Sequence, residues 1–592
     1  MSVSQLLASS ERCVDEGLEG VVAANPGYVL LPKQRVVVER GRVLQGPCRR
    51  NGVALVSGGG SGHEPFSAGY VGRGMLAASV SGHVFASPPA ANVAAAITAV
   101  GKDNPDGVLV IVFNYTGDRI NFGLAVERCR AAGMKVEMYV SGDDSALTQL
   151  EGTAGRRGLC GTHFIFKIVG ALVAQGGSLA EALDTCRRIS EATGTIGVAA
   201  SGCTLPGGTA PLFTVGAGQL ELGLGVHGEA GAATIPSGSP REVVAALLAH
   251  LTRQDSATRL DLKSGDEVAV IVNNLGCLTQ LEMTNITKEV ISQLKSRGVK
   301  PLRVYPGALM TSLDMRGFHV SVLRLKDPSW LALLDAPTAA PAWCAPCLAD
   351  MEGEVLVPDL EPAPCHEKSE NIYTLREEGH VRTVRQCLEA VVAKMPQHEE
   401  SLNALDAECG DGDCGSTFLQ GVAGLSKQLA SLPLSQPARV LSVLAEIAAT
   451  NMGGSSGGIY SIFFTAAAAT MACPRDSHRA TWAAALRAGV EAISKYGGAA
   501  QGDRTMLDAL VPAVEALEGS KAHEDFTTVL RTMAGAADEG ARNTCNMKPR
   551  AGRATYVRHE KAQRGGRWGA LCGFGLGRCQ SPLVSLHALV LH

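Results

Sequence analysis

Three carboxylates in the second half of the 592-residue chain are the clearest candidates for metal chemistry. Asp406, Asp411 and Asp413 follow the spacing D-x4-D-x-D, with glycines between them that allow a sharp bend. Like charges this close repel one another, and a hard divalent cation such as Mg²⁺ relieves that repulsion. The loop is not an EF-hand, because the twelfth position counted from Asp406 is Thr417 rather than a glutamate. The spacing predicts a magnesium site, with a solvated acidic loop as the alternative.

Two further segments of this half could bind the phosphates of a nucleotide. Residues 452–458 (MGGSSGG) precede an apolar helical stretch and offer successive backbone N–H groups and hydroxyls where the helix begins. Residues 501–508 (QGDRTMLD) begin another helix and carry more charged residues than helix capping needs. The chain contains neither a Walker loop nor the protein-kinase motifs, so a nucleotide site here must belong to another family.

A histidine between glycines is the feature of the first half that most needs an explanation. His227 lies in residues 221–231 (ELGLGVHGEAG), where Gly223, Gly225 and Gly228 have the spacing G-x-G-x-x-G. A dinucleotide site is a weak interpretation, since no clear strand precedes these glycines and His227 sits where a helix should start. A neutral imidazole nitrogen is a competent nucleophile toward a carbonyl, and a purely structural histidine is the alternative.

Two more segments of the first half place polar groups after apolar stretches that resemble strands. Residues 57–65 (SGGGSGHEP) have glycines that let a ligand approach the backbone, and His63 offers a donor and an acceptor. A glycine-rich turn is the alternative there. Residues 114–119 (NYTGDR) place Asp118 at the end of a strand, where ligands commonly bind in α/β proteins, and before a helix predicted to begin near Asn121. The alternative role for this aspartate is helix capping.

The periodicity of apolar residues divides the chain into unlike parts that must position these groups. Short β-type stretches alternate with helical ones at first, which predicts an α/β domain over residues 1–336. A proline-rich linker is expected over residues 337–371. Only helical patterns follow, which predicts an all-α domain over residues 372–556. The order of the strands does not follow from the pattern.

Composition excludes several other functional classes. Lys and Arg total 53 against 57 for Asp and Glu, and the scattered charges offer no basic surface for nucleic acid. No apolar stretch of membrane-spanning length and no signal-peptide pattern occurs, so a cytoplasmic protein without membrane contact is expected. The 17 cysteines form no disulfide framework, and the pair Cys344 and Cys347 is not expected to bind zinc.

Six motifs, taken in order, resemble those of the dihydroxyacetone kinase family: SGGGSGHEP, NYTGD, LGLGVHGEAG, LDAECGDGDCGST, MGGSSG and GDRTMLDAL. The resemblance covers about residues 1–556 and implies that the first domain binds dihydroxyacetone. It implies that His227 forms a hemiaminal with the substrate carbonyl, and that Asp118, assisted by His63, is the base on the free hydroxyl. The implied substrate contacts are Gly60, Ser61, Gly62, His63 and Asp118.

The same resemblance implies that the second domain is an eight-helix barrel that binds ATP and Mg²⁺. The implied metal ligands are Asp406, Asp411 and Asp413. The implied ATP contacts are Asp411, Gly412, Asp413, Cys414, Ser455, Ser456, Gly497, Thr505 and Met506. The expected reaction is phosphorylation of dihydroxyacetone and glyceraldehyde by ATP. In animal members of the family the nucleotide site is also associated with Mn²⁺-dependent splitting of FAD into AMP and cyclic FMN. A homodimer with only small-molecule partners is expected.

Two positions depart from the family pattern. Phe113 stands where the family has a lysine directly before NYTGD. From Val557 onward the chain lacks the family's closing Asp-Pro-Gly and amphipathic helix, so residues 557–592 are expected to be an atypical tail that docks loosely and leaves the last helix of the barrel in question. These departures keep two alternatives open: a non-catalytic or regulatory carbonyl-binding relative, and a nucleotide cyclase alone.

Overall fold

The chain folds into two compact units, residues 1–356 and residues 357–592. The computed structural model describes residues 5–7, 9–43, 52–149, 155–229, 231–346, 373–407, 411–471, 475, 477–521, 523–551 and 555. The predicted linker is described only as far as residue 346, and Cys347 and the predicted tail of residues 557–592 lie outside the described residues. Within these ranges no helix combines the length and the apolar character needed to cross a membrane.

The first unit contains two six-stranded sheets. The first sheet consists of β1 (Tyr28–Leu31), β2 (Val36–Glu39), β3 (Ala54–Ser61), β4 (Ala78–Val84), β5 (Val108–Phe113) and β6 (Val136–Ser141). Its order is β1-β2-β4-β3-β5-β6, and the four strands from β4 to β6 run parallel. Its helices are α1 (Cys13–Ala24), α2 (Arg40–Val43), α3 (Ala90–Gly101) and α4 (Thr116–Ala131). Every residue of β3 and β5 is buried, because a parallel sheet is covered on both faces.

The second sheet is mostly antiparallel and has the order β11-β10-β12-β7-β8-β9. Its strands are β7 (Thr193–Ser201), β8 (Gln219–Leu222), β9 (Ala233–Pro236), β10 (Glu267–Asn274), β11 (Lys300–Gly307) and β12 (Arg316–Arg324). The helices are α5 (Thr162–Ala174), α6 (Leu179–Ala192), α7 (Pro240–Leu251), α8 (Gln280–Ser296) and α9 (Ser329–Asp335). One apolar core includes residues of α5 and α6 together with residues of both sheets, so the unit is a continuous α/β domain, as predicted.

Two boundaries near the candidate site differ from the prediction. The strand expected to precede residues 57–65 instead runs into that segment and ends at Ser61. A Cβ on Gly58 would lie 2.1 Å from the carbonyl oxygen of Val80, so glycine lets β3 and β4 approach closely. The helix expected near Asn121 begins at Thr116, which puts Asp118 inside its first turn.

The glycine-rich segment around His227 also differs from the expectation in one respect. A short strand, β8, ends directly before Gly223, although the sequence suggested none. Its weak apolar pattern follows from its exposure, since only its last residue is buried. No helix follows the glycines; the segment leads into β9 instead. The dinucleotide interpretation, which requires a strand and then a helix, is therefore wrong here.

The second unit is helical throughout its described residues, as predicted. Its helices are α10 (Glu378–Lys394), α11 (Glu399–Asp406), α12 (Cys414–Gln428), α13 (Pro437–Ile447), α14 (Gly454–Met471), α15 (His478–Gly497), α16 (Leu507–Glu518) and α17 (Phe526–Asn543). A π-helical turn, Ala448–Met452, follows α13. One apolar core runs through this unit and takes side chains from all eight of these helices. The closure of the helices into an eight-helix barrel stays a prediction.

Candidate active site

Three loops of the first unit meet around His227, which is half-buried on the loop between β8 and β9. The centre of its ring lies 4.8 Å from the ring of His63, at the end of β3. It lies 4.7 Å from the ring of Tyr115, just after β5, and 5.3 Å from that of Phe85, just after β4. The structure thus brings together the two histidines singled out in the sequence and surrounds His227 with aromatic rings.

The backbone of the β3 end passes close to its neighbours. A Cβ on Gly60 would lie 2.8 Å from the backbone nitrogen of Ala86, and one on Gly62 would lie 2.8 Å from the Phe85 ring. Gly62 also has a φ of +99°, which favours glycine. The Ser61 hydroxyl donates a hydrogen bond of 2.9 Å to the carbonyl of Gly82. This segment, predicted to contact substrate, can therefore bring its backbone near a small ligand.

His63 is neutral and has a defined tautomer. Its Nδ1 lies 2.9 Å from the carbonyl oxygen of Thr311, and because a carbonyl only accepts, Nδ1 carries the proton. Nε2 is buried and has no hydrogen-bond partner among the described residues. Burial, with a smaller contribution from nearby His227, lowers the pKa of His63 to about 3. The ring therefore offers a lone pair on Nε2 to a bound molecule.

Asp118 has the properties of a general base. Only 5% of the residue is exposed, and within the described structure its Oδ1 is buried without a hydrogen-bond partner. Burial raises its pKa to about 6, although a hydrogen bond with the side chain of Ser87 opposes the shift. Its alternative role as a helix cap is wrong, because Tyr115 occupies the N-cap position of α4 and no side chain caps the helix. A carboxylate tuned toward neutrality can accept a proton from a hydroxyl.

Phe113, which stands where the family has a lysine, lies in a cluster of aromatic rings. It is buried at the end of β5, with its ring centre 4.6 Å from that of Phe66. The rings of Phe166 and His163 lie 6.0 and 6.2 Å away. Burial lowers the pKa of His163 to about 4, so this neighbour is also neutral. The pocket wall at this position is therefore apolar and uncharged.

Sequence reasoning missed an ion-pair network beneath the His227 loop. Arg157 donates to Asp144 over 2.7 Å and to Glu229 over 3.2 Å, and its third nitrogen donates to the carbonyl of Gly223 over 2.7 Å. The acidic neighbour of His227 was visible in the sequence. Its partner was not, since Arg157 is 72 positions away from Glu229 and no spacing connects the two.

The predicted metal ligands converge at the end of α11. Asp406, Asp411 and Asp413 each offer a carboxylate oxygen, and these oxygens all lie within 4.8 Å of one another. Asp406 is buried and accepts hydrogen bonds from the backbone N–H groups of Gly412, at 2.8 Å, and Asp413, at 3.2 Å. Gly412 has a φ of +78°, which lets the loop turn back onto Asp406. Oxygen ligands so arranged fit a hard divalent cation such as Mg²⁺.

A second missed residue, Asn403, anchors the helix that follows this loop. Its Oδ1 accepts hydrogen bonds from the backbone N–H groups of Gly415, at 2.7 Å, and Ser416, at 3.2 Å. The hydroxyl of Ser416 donates in turn to Glu399 over 2.9 Å. These contacts tie the first turn of α12 to α11. In the sequence, Asn403 and the backbone groups that it binds lie on either side of the acidic loop, so only the folded chain reveals the contact.

The predicted ATP contacts lie at helix ends of the second unit. Ser455 and Ser456 are in the first turn of α14, after two glycines of positive φ. A Cβ on Gly453 or Gly454 would meet no atom within 4 Å, so the approach to this turn is open. Gly497 ends α15, and Thr505 and Met506 directly precede α16.

Two charged residues of the segment 501–508, Asp503 and Asp508, hold the turn before α16, while no side chain caps that helix. The buried carboxylate of Asp508 accepts hydrogen bonds from the backbone N–H groups of Gly502, at 2.5 Å, and Thr505, at 2.7 Å. Asp503 accepts one from Ala500 at 2.8 Å. These bonds hold the turn that presents Thr505 and Met506.

Family models match both units of the chain. The Dak1 domain model matches residues 19–342, and the DAK2 domain model matches residues 408–565. Each match contains the candidate residues of its unit, from Gly60 to His227 in the first and from Asp411 to Met506 in the second. Asp406 lies two positions before the DAK2 match begins.

Similar proteins cover nearly the whole chain. It is 41% identical over 560 residues to triokinase/FMN cyclase of Mus musculus, which spans 94% of this chain and 95% of the relative. It resembles the crystal structure of the dihydroxyacetone kinase of C. freundii in complex with AMP-PNP and Mg²⁺, with 34% identity and a TM-score of 0.65 over 97% of this chain and all of that chain. The dihydroxyacetone kinase operon co-activator Dha-DhaQ matches at 31% identity and a TM-score of 0.51, over 56% of this chain and 98% of its own. This chain, an enzyme with a Dak1 and a DAK2 domain, belongs to the dihydroxyacetone kinase family.

Proposed function

We propose that this protein phosphorylates dihydroxyacetone and glyceraldehyde with ATP while it holds the triose covalently on His227. The observation that carries the proposal is the contact between His227 and a neutral His63, whose ring centres lie 4.8 Å apart, together with the buried Asp118 in the first turn of α4. The high identity to a triokinase over 94% of the chain supports the same substrate class.

The covalent step needs a neutral imidazole. Burial lowers the pKa of His227, while Glu229 raises it and Arg157 lowers it. A ring nitrogen of His227 attacks the carbonyl carbon, the C–N bond forms as the carbonyl π bond breaks, and the ring N–H proton passes to the oxygen. The result is a hemiaminal, which glycerol cannot form because it has no carbonyl. The tether also holds the substrate in place.

Phosphoryl transfer then uses the free hydroxyl of the bound triose. His63 accepts a hydrogen bond on Nε2 and orients the substrate, and Asp118 takes the hydroxyl proton. The hydroxyl oxygen forms a bond to the terminal phosphorus of ATP, and the bond from that phosphorus to ADP breaks. Asp118 is suited to this role because its pKa of about 6 leaves it ionised at neutral pH yet more basic than an ordinary aspartate.

The second unit would bind the nucleotide. Asp406, Asp411 and Asp413 would hold Mg²⁺, which neutralises the charge of the phosphate oxygens. The fit of three convergent carboxylates supports this assignment, as does the AMP-PNP and Mg²⁺ complex of the C. freundii enzyme. We assign the remaining nucleotide contacts to Gly412, Cys414, Ser455, Ser456, Gly497, Thr505 and Met506.

A second activity, Mn²⁺-dependent splitting of FAD into AMP and cyclic FMN, is part of the proposal. The relative from Mus musculus is named for both activities and matches this chain in both units. This reaction would use the carboxylates of the second unit and would not need His227. A purely regulatory role is the rival, since the operon co-activator Dha-DhaQ is similar to part of this chain; its match spans only 56% of this chain. The rival leaves the three convergent aspartates of the second unit without a role.

Two parallel assays test the proposal on the full-length chain. One measures ATP consumption with dihydroxyacetone or glyceraldehyde in the presence of Mg²⁺, and the other measures AMP release from FAD in the presence of Mn²⁺. Both activities are expected. FAD splitting alone would leave a cyclase, and carbonyl binding without either activity would favour the regulatory role. Sedimentation of the same preparation tests the proposed homodimer, and imaging of the tagged chain in cells tests the proposed cytoplasmic location.

A further inference from the structure

The guanidinium of Arg157 contacts the loop that carries His227 at two points. Arg157 donates to the carbonyl of Gly223, where the loop begins, and to the carboxylate of Glu229, two residues after His227. Arg157 is itself fixed by Asp144, whose side chain is almost fully buried. A hydrogen bond of 2.5 Å from the Ser312 hydroxyl to the carbonyl of Val226 fixes the loop from another side. The position of His227 is therefore set by several groups outside its own loop.

Glu229 folds back underneath this loop. Its Oε2 accepts a hydrogen bond of 2.9 Å from the backbone N–H of His227, while its Oε1 faces Arg157. A Cβ on Gly225 would lie only 1.6 Å from that Oε1 and 2.9 Å from Arg157 Nη1. A side chain at position 225 would therefore force the Glu229 carboxylate out of its place against Arg157. This explains one glycine of the segment without a dinucleotide.

Two charged side chains, those of Glu229 and Arg157, shift the pKa of His227 in opposite directions. Among the described residues, Glu229 faces it from its own loop and Arg157 from the segment before α5. His63 faces it from the end of β3 and Tyr115 from the end of β5, and both are uncharged, since burial lowers the pKa of His63 and raises that of Tyr115. Glu229 is thus the one negative group in this set.

We propose that Glu229 is the positioning residue of the covalent step: its carboxylate fixes the backbone of His227 and stabilises the positive charge that the imidazole carries while the hemiaminal forms. The inference rests on the proposed function of His227. When the ring nitrogen bonds to the carbonyl carbon, the ring becomes cationic and the oxygen anionic, until the ring proton passes to the oxygen. A carboxylate fixed on the backbone N–H of His227 lowers the energy of that charge-separated state without any further reactant.

The test compares Glu229→Gln with two other variants of the same region. Glutamine can still accept the hydrogen bond from His227 but carries no charge, whereas Glu229→Asp keeps the charge on a shorter side chain. Glu221→Gln is the matched control, because Glu221 lies on the adjoining β8 and accepts from Gly231 and Thr234 without touching His227. The probe is dihydroxyacetone labelled with ¹³C at its carbonyl carbon, which becomes tetrahedral and nitrogen-bound in the hemiaminal. Bound adduct is followed by NMR, and kinase rates by ATP consumption, across pH.

The expected results distinguish the loss of the Glu229 charge from a loss of folding. Without the Glu229 charge His227 protonates less readily, so the acid limb of adduct formation moves to lower pH in Glu229→Gln. Triose kcat/KM on the plateau falls by about tenfold, the loss that one pKa unit of charge stabilisation represents. Glu229→Asp keeps the acid limb of the unaltered protein, and Glu221→Gln changes neither quantity. FAD splitting and thermal unfolding stay unchanged in all three variants.

Two results would overturn the inference. One is a Glu229→Gln variant whose adduct has the pH dependence and yield of the unaltered protein, and the other is an equal loss in Glu221→Gln. If the unaltered protein forms no adduct at all, the proposed role of His227 fails instead, so the two failures are distinguishable.

Discussion

The ionisable side chains of the two candidate sites differ in how far they are buried. In the first unit, His63 and Asp118 are almost fully buried, and burial shifts their pKa values to about 3 and about 6. In the second unit, Asp411 and Asp413 are exposed and converge on the buried Asp406. A low-dielectric environment disfavours charge, which keeps His63 neutral and makes the Asp118 carboxylate more basic than usual, and both properties suit proton transfer. Exposed carboxylates keep full contact with water and cations, which suits metal binding. The contrast supports the proposal that one chain divides proton chemistry and metal chemistry between two differently solvated sites.

Asp413→Ala is expected to have the largest effect, since it removes a ligand of the proposed metal site on which both proposed activities depend. Triose phosphorylation and FAD splitting should each fall by roughly 10³-fold or more. Steady-state rates with saturating Mg²⁺ or Mn²⁺ provide the measurement. Glu389→Ala, which removes an exposed carboxylate on α10, serves as the control. If either activity survives in Asp413→Ala, the aspartates do not form a common metal site.

His227→Ala is expected to lower only one of the two proposed activities. Triose phosphorylation should fall by roughly 10³-fold, because the covalent tether is lost, while FAD splitting stays close to that of the unaltered protein. Both rates are measured on the same preparation. His250→Ala is the control, since His250 lies on α7 of the same unit and its ring hydrogen-bonds to the carbonyl of Ala146. An equal loss of the two activities would refute the division of labour.

Asp118 predicts the pH dependence of the first site. Its raised pKa of about 6 means that acid below about pH 6 protonates the carboxylate and removes the base, so triose kcat should fall as the pH drops through that value. Asp118→Asn should lower the rate by about 10²-fold or more and abolish this acid limb. A variant with a full rate, or an unchanged acid limb, would assign the base to another group.

Phe113→Lys is expected to have the smallest effect on chemistry and to act mainly on stability. The family pattern suggests that lysine would restore a cationic substrate contact and raise the rate. The structure argues against that, because Phe113 is buried among Phe66, Phe166 and His163, and an unpaired ammonium there costs about 2–5 kcal/mol. A lower melting temperature without a gain in triose kinase rate is expected, with Phe113→Leu as the size control. A faster enzyme of unchanged stability would show that the pocket still admits the lysine.

Local features of both sites follow from the sequence alone. The three aspartates of the second unit are close in the chain, so the glycine turn between them is enough to bring their oxygens together. Helix α8 (Gln280–Ser296) follows from local signals, because its apolar period and its capping box involve only neighbouring residues. The class of each unit, α/β and then all-α, follows from the same short-range periodicities.

Other features depend on residues far apart in the chain, and only the tertiary structure decides them. The contact between His227 and His63, the clamp of Arg157 on Glu229 and the anchoring of α12 by Asn403 all join separate segments. The end of β3 at Ser61 depends on how closely β4 passes Gly58. The raised pKa of Asp118 depends on the desolvation that the surrounding chain imposes, which no local pattern records. Spacing along the chain determines which chemical groups are near one another locally, whereas burial and long-range pairing, which set their protonation and position, are properties of the whole fold.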